Sequence, residues 1–128
     1  MKVELKNNGS ALLIMVFVIA LLSAVVMGIL QLNTEEIQLM HNQINAAQAV
    51  ATAEAGLNDA LFRIRQGSDP NITDESFNGG SYTVVASGDT ITSTGTTAQG
   101  FIAKVKADIT IGTGGSPVIR IDSLRINE

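Results

Sequence analysis

The sequence predicts an α+β protein: one long amino-terminal helix, transmembrane in its first half and amphipathic in its second, packed against a small antiparallel β-sheet. Three observations predict it. Ser10 to Leu32 is an uninterrupted run without a charged residue. From Asn33 to Gln66 there is no proline and the only glycine is Gly56. Beyond Gly67 the apolar period changes from three or four to two.

The apolar run comes first. Its 23 residues span roughly 34 Å as a helix, slightly more than the ~30 Å hydrocarbon core of a bilayer. A secretory signal has a shorter apolar region, ~7–15 residues, followed by a polar cleavage site of small residues. Here Ser23-Ala24 runs into Val25, Val26, Met27, Gly28, Ile29 and Leu30 instead. A chain of 128 residues is also too small to surround such a helix as its core. A membrane span is therefore expected over residues 10–32. Lys2 and Lys6 precede it and Glu35 and Glu36 follow it, so the amino end is expected on the cytoplasmic side and the rest outside.

The second half continues the helix over residues 33–66. Ile37, Met40, Ile44, Ala47, Ala51, Leu57, Leu61 and Ile64 recur at steps of three or four, interrupted by Glu54. Asp59 and Arg63 stand four apart in the favourable acid-first order. Arg63 and Arg65 suit the negative end of the helix dipole, Gly67 can cap it, and Pro70 forbids continuation. Ser10 to Gln66 reads as one element of roughly 85 Å. The alanines from Ala46 to Ala60 have two readings, simple helix propensity or a narrow face for close approach of another backbone.

Residues 67–128 read as a β-rich, extracytoplasmic unit. Phe101, Ala103, Val105, Ala107, Ile109 and Ile111 alternate with Ile102, Lys104, Lys106, Asp108 and Thr110, as a half-buried strand does. Ser81–Ser87 and Thr90–Thr97 are shorter strands joined at Gly88-Asp89, which predicts a three-stranded meander. After a loop at 112–117, Val118 to Ile126 forms a fourth strand with a bulge near Ser123. Below ~70 residues a lone core seldom suffices without disulfides or metal, and the chain has no cysteine. The sheet is therefore expected to cover the helix around Ile44 to Ile64.

Little chemistry is visible. A net charge of −4, a pI near 4.8 and 4% aromatics argue against nucleic acid as a partner. His41 is the only histidine, and no acid–base pair, nucleophile triad or phosphate loop accompanies it, so neither an enzyme nor a cofactor is expected. Asp69, Asn71, Thr73 and Glu75 place oxygens at alternate positions of a turn, as a calcium loop does. The glycine such a loop needs at its sixth position is Asp74, and its twelfth is Gly80, which favours a solvated acidic turn. Asn71-Ile72-Thr73 also fits a glycosylation sequon.

The segment "KNNGSALLIMVFVIALLSAVV" resembles the amino end of type IV pilin-like proteins, in which a short leader ends in glycine and a prepilin peptidase cuts after it. "AQAVATAEAGLNDAL", Ala47 to Leu61, is similar to a segment of minor pilins of the PilX kind and of the K-type minor pseudopilin of type II secretion. "GDTITSTGT" is similar to sheet sequences of that group. The resemblance implies that residues 1–9 are a leader, that Gly9 precedes the cut and that Ser10 becomes the mature terminus, where the family usually has a bulky residue. The family's glutamate at the fifth mature position falls at Ile14, as in tip subunits. The implied partners are the peptidase, the inner membrane and other pilin or pseudopilin subunits, met through a helix face of Ile14, Ile37, Ile44, Leu57 and Leu61. The implied role is a minor subunit that primes or caps a filament. The alternative is a signal-anchored envelope protein with a small β binding module, uncut at Gly9.

Overall fold

The computed structural model describes residues 4–112 and 118–127. The first three residues of the expected leader and most of the expected 112–117 loop lie outside them. One helix, α1, runs Glu4–Arg65 and is followed by five strands: β1 Ile72–Phe77, β2 Gly80–Ser87, β3 Thr90–Thr96, β4 Ile102–Ile111 and β5 Ile119–Asn127. The strands form one antiparallel sheet in sequence order. The fold is the expected α+β arrangement of a long helix packed on an antiparallel sheet.

The helix ends where its stop signals stand. Gly67 adopts φ 71°, its N–H donates to the Ile64 carbonyl at 3.0 Å, and the Ser68 N–H donates to the Arg63 carbonyl at 2.9 Å. This pair of reversed bonds is the Schellman closure, and it satisfies carbonyls that the last turn would otherwise leave open.

The chain falls into two compact units, Met1–His41 and Asn42–Glu128. In the second unit the helix lies on one face of the sheet. Alternate residues of the central strands point at it: Tyr82 and Val84 of β2, Ile91 and Ser93 of β3, and Ala103, Val105, Ala107 and Ile109 of β4 are buried. From the helix, Ala49, Thr52, Ala53, Leu57 and Ala60 are buried against them. Ile72 of β1 adds to the same core.

The sheet has one strand more than the sequence reading expects. The segment read as an acidic turn enters β1 at Ile72. This strand hides only that one side chain and is held by its pairing with β2. Two adjacent positive φ values, at Asn78 (47°) and Gly79 (81°), close the β1–β2 hairpin as a two-residue turn whose twist matches that of the strands. Thr73 and Asp74 oppose Thr83 alone, a bulge in which Asp74 takes φ 48°. Gly88, at φ 60°, opens the expected Gly88-Asp89 hairpin. On β5 the register passes from Ile121 to Ser123 against Ile109 and Asp108, so Asp122 is the extra residue and the bulge falls beside Ser123.

Candidate functional site

In the first unit the apolar run is helical and bare. Between Leu12 and Leu32, 16 large apolar side chains are exposed, Leu13 at 72% and Phe17 at 63%. Covering such a side chain is worth ~1.5–3 kcal/mol, so the run exposed to water would cost tens of kcal/mol. It is the one helix among the described residues long and apolar enough to cross a membrane, which makes it a candidate anchor. Its hydroxyls are suited to lipid: Ser23 Oγ donates to the Ile19 carbonyl at 2.8 Å, and Thr34 Oγ donates to the Leu30 carbonyl at 2.9 Å.

Gly9 and Ser10 lie inside α1 and are exposed, with no atom of the fold within 4 Å of where a Gly9 side chain would stand. The helix begins at Glu4, earlier than the polar-to-apolar boundary. Ile14 is 59% exposed and Ile37 is 60% exposed, and neither is used by its own unit.

The second unit divides the expected helix face in two. Ile44 is 52% exposed, while Leu57 is buried and Leu61 half-buried, packed with the core. Leu57 and Leu61 therefore hold the sheet, and the exposed members of the set are Ile14, Ile37 and Ile44. The sheet covers the helix from Ala49 to Ile64, not from Ile44. The physical reason is the small residues. A Cβ on Gly95 of β3 would come within 2.5 Å of the Ala49 carbonyl oxygen, and one on Gly56 within 2.7 Å of the Tyr82 ring. Helix and sheet backbones thus meet at Gly95, between Ala49 and Ala53. Of the two readings of the alanines, close approach is realised, by the chain's own β3. An isolated glycine inside a strand is the sequence signal for it.

A polar link crosses this interface. The Tyr82 hydroxyl donates to Asp59 Oδ2 at 3.1 Å, and Arg63 donates to the same oxygen at 3.4 Å. Burial, and then the Asp59 carboxylate, push the Tyr82 phenol above its ordinary pKa, so it stays a donor at all physiological pH.

The loop at 69–75 uses its oxygens internally. Asp69 Oδ1 accepts from the Asn71 backbone N–H at 3.0 Å and from the Asn71 side-chain amide at 2.7 Å, which hold the Asp69 carboxyl below its usual value. Asn71 Oδ1 accepts from the Ala86 N–H at 2.9 Å, tying the loop to β2. Asp74 turns its N–H to Thr83 Oγ at 3.2 Å. Two of the four oxygens considered for calcium thus brace the entry to β1. Among the described residues no three His, Asp or Glu side chains gather closely enough to hold a metal, and His41 is exposed on the helix.

Comparisons with protein-family models, curated proteins and solved structures return no match. The arrangement of an apolar, membrane-length helical run followed by a helix-on-sheet unit is compatible with pilin-like architecture.

Proposed function

We propose that this chain is a non-enzymatic minor pilin or pseudopilin, a structural subunit that primes or caps a filament at the inner membrane. One observation carries the reading: a single helix, Glu4–Arg65, is bare and apolar over a membrane length and then becomes the core of a small sheet. Such a helix stores a subunit in lipid and, once its polar leader is gone, can pass its apolar surface from lipid to neighbouring helices. The surface stays out of water in both places, which is worth ~25 cal/mol per Å² relative to exposure. Ile14 suits a subunit with no carboxylate to pair with the terminus of a neighbour. The exposed Gly9-Ser10 bond is open to a peptidase on all sides, although it must leave the helix to be cut.

The test is to make the chain together with a prepilin peptidase in a bacterial host and measure the intact mass of the membrane-extracted product. The expected product begins at Ser10, and Gly9→Ala abolishes the change. A chain that still begins at Met1 in the presence of an active peptidase overturns the reading in favour of a plain anchor.

A further inference from the structure

The face of the sheet turned away from α1 carries three cations that the fold does not use. Ala103, Val105 and Ala107 of β4 are buried toward the helix, so Lys104 and Lys106, which alternate with them, project from the opposite face and are exposed. Thr92 of β3 alternates in the same way with buried Ile91 and Ser93. The register sets Thr92 opposite Lys106 on one side and Arg125 of β5 opposite it on the other. Directly opposite residues share a face, with Cβ atoms about 5 Å apart. Lys104 stands two residues back along β4, about 7 Å away. Thr92, Lys104, Lys106 and Arg125 together line one open cleft of about 240 Å³.

The carboxylates that β4 and β5 bring to this face are already engaged. Asp108 accepts from the Thr90 hydroxyl through Oδ1 and from the Ser123 hydroxyl through Oδ2. Asp122 pairs with Arg120 at 3.3 Å and accepts from the Thr110 hydroxyl. Among the described residues none of Lys104, Lys106 and Arg125 is in an ion pair. Like charges directly opposite each other destabilise a sheet, so Lys106 beside Arg125 is a cost to the fold. The chain has twelve Asp and Glu against eight Lys and Arg, and a carboxylate at position 92 or 125 would have removed that cost. A local rule broken with no gain to the fold marks a place where function is to be sought.

The lining fits an oxyanion. Two ammonium groups and a guanidinium can only donate hydrogen bonds, and the threonine hydroxyl can donate as well. The guanidinium fork matches two oxygens of one phosphate, and the ammonium groups add charge to the remaining ones. The cleft is smaller than the ~300 Å³ at which ordinary ligand pockets begin, so it suits one small group. Three cations also fall short of the ~6–10 phosphate contacts of a nucleic-acid surface.

We propose that this cleft binds a single phosphate or sulfate group, with Lys106 and Arg125 as its principal partners and Lys104 and Thr92 at its sides. The group is carried as an ester, on a sugar or on a lipid headgroup. The site goes beyond the minor-subunit reading and does not depend on cleavage at Gly9.

The test uses the full chain in micelles of an uncharged, phosphate-free detergent. Backbone amide shifts are followed during a titration with sodium phosphate at constant ionic strength. Saturable shifts are expected at residues 92, 104, 106 and 125, with chloride giving none, and Lys106→Gln is expected to weaken binding at least tenfold. In phosphate-free buffer the same variant is expected to melt at a higher temperature than the unchanged chain, because the like-charge pair is relieved. A purely structural role for Lys106 predicts the reverse. Glucose 6-phosphate, or phosphatidylglycerol mixed into the micelles, is then added to the phosphate complex. Displacement by the first assigns the site to a sugar ester and by the second to a lipid headgroup. Displacement by neither means an adventitious ion only and overturns the proposal. Shifts that do not saturate, equal shifts with chloride, or a lower melting midpoint in Lys106→Gln overturn it too.

Discussion

Two residues of β3 show what holds the sheet to the helix. Gly95 lies against the backbone between Ala49 and Ala53, where helix atoms have no side chain to move aside. Gly95→Ala is expected to cost about 3 kcal/mol by overpacking, lowering the thermal midpoint of the sheet unit by ~10 °C or more. A change under ~3 °C would mean that the helix is not seated there. Ser93 is the reverse case. It is fully buried against Gly56, and its Oγ finds no hydrogen-bond partner among the described residues. An unsatisfied buried hydroxyl costs ~1–3 kcal/mol, so Ser93→Ala is expected to raise the same midpoint by several degrees. A fall of similar size would reveal a bond to that hydroxyl. Alanine at position 93 and alanine at position 95 thus have opposite signs, although the two sites are neighbours on one strand face.

At the level of elements, β3, β4 and β5 are joined by one carboxylate as well as by their ladders. Asp108 accepts from Ser123 Oγ at 2.7 Å and from Thr90 Oγ at 2.8 Å. The Ser123 hydroxyl, followed by that of Thr90, holds its carboxyl below the ordinary value of 3.8. A depressed folded pKa gives stability that is present above the unfolded value and lost as pH falls through the folded one. The acid limb of stability against pH is therefore expected to flatten below about pH 4 in Asp108→Asn, as followed by thermal melts. An unchanged limb would remove Asp108 as a link. Several elements were legible because local chemistry decides them. Gly67 with Pro70 stops the helix, Gly88-Asp89 turns the chain, and the alternation from Phe101 to Ile111 marks a strand buried on one face. β1 was not legible from period. Asp74 and Glu75 face water and only Ile72 is buried, so long-range pairing with β2 makes the strand. The Asn78-Gly79 pair was the local sign of its hairpin. Where the sheet begins to cover the helix was not legible for a related reason. Ile44 continues the apolar spacing, but the closest backbone approach, at Gly95, falls on Ala49 and Ala53, and cover begins there.

For the whole molecule, the candidate site was legible where composition alone decides it. Sixteen bare large apolar side chains between Leu12 and Leu32 need a non-aqueous environment whatever the fold does. The division of the second helical half into a sheet-bound face and an outward face depends on tertiary contacts that no spacing rule contains. A small sheet packs on the end of the same helix whose apolar run is the candidate anchor, so the candidate anchor and the folded unit share one backbone. The filament reading depends on that sharing, because a subunit drawn out of lipid must carry its folded part with it. The passage between the two units, around His41 and Asn42, is where this claim is most exposed. Its most direct measurement is the backbone Cα chemical shift across residues 33–48 of the full chain in detergent micelles. The account predicts uninterrupted helical shifts through His41 and Asn42. A stretch of four or more residues at random-coil values there would contradict it.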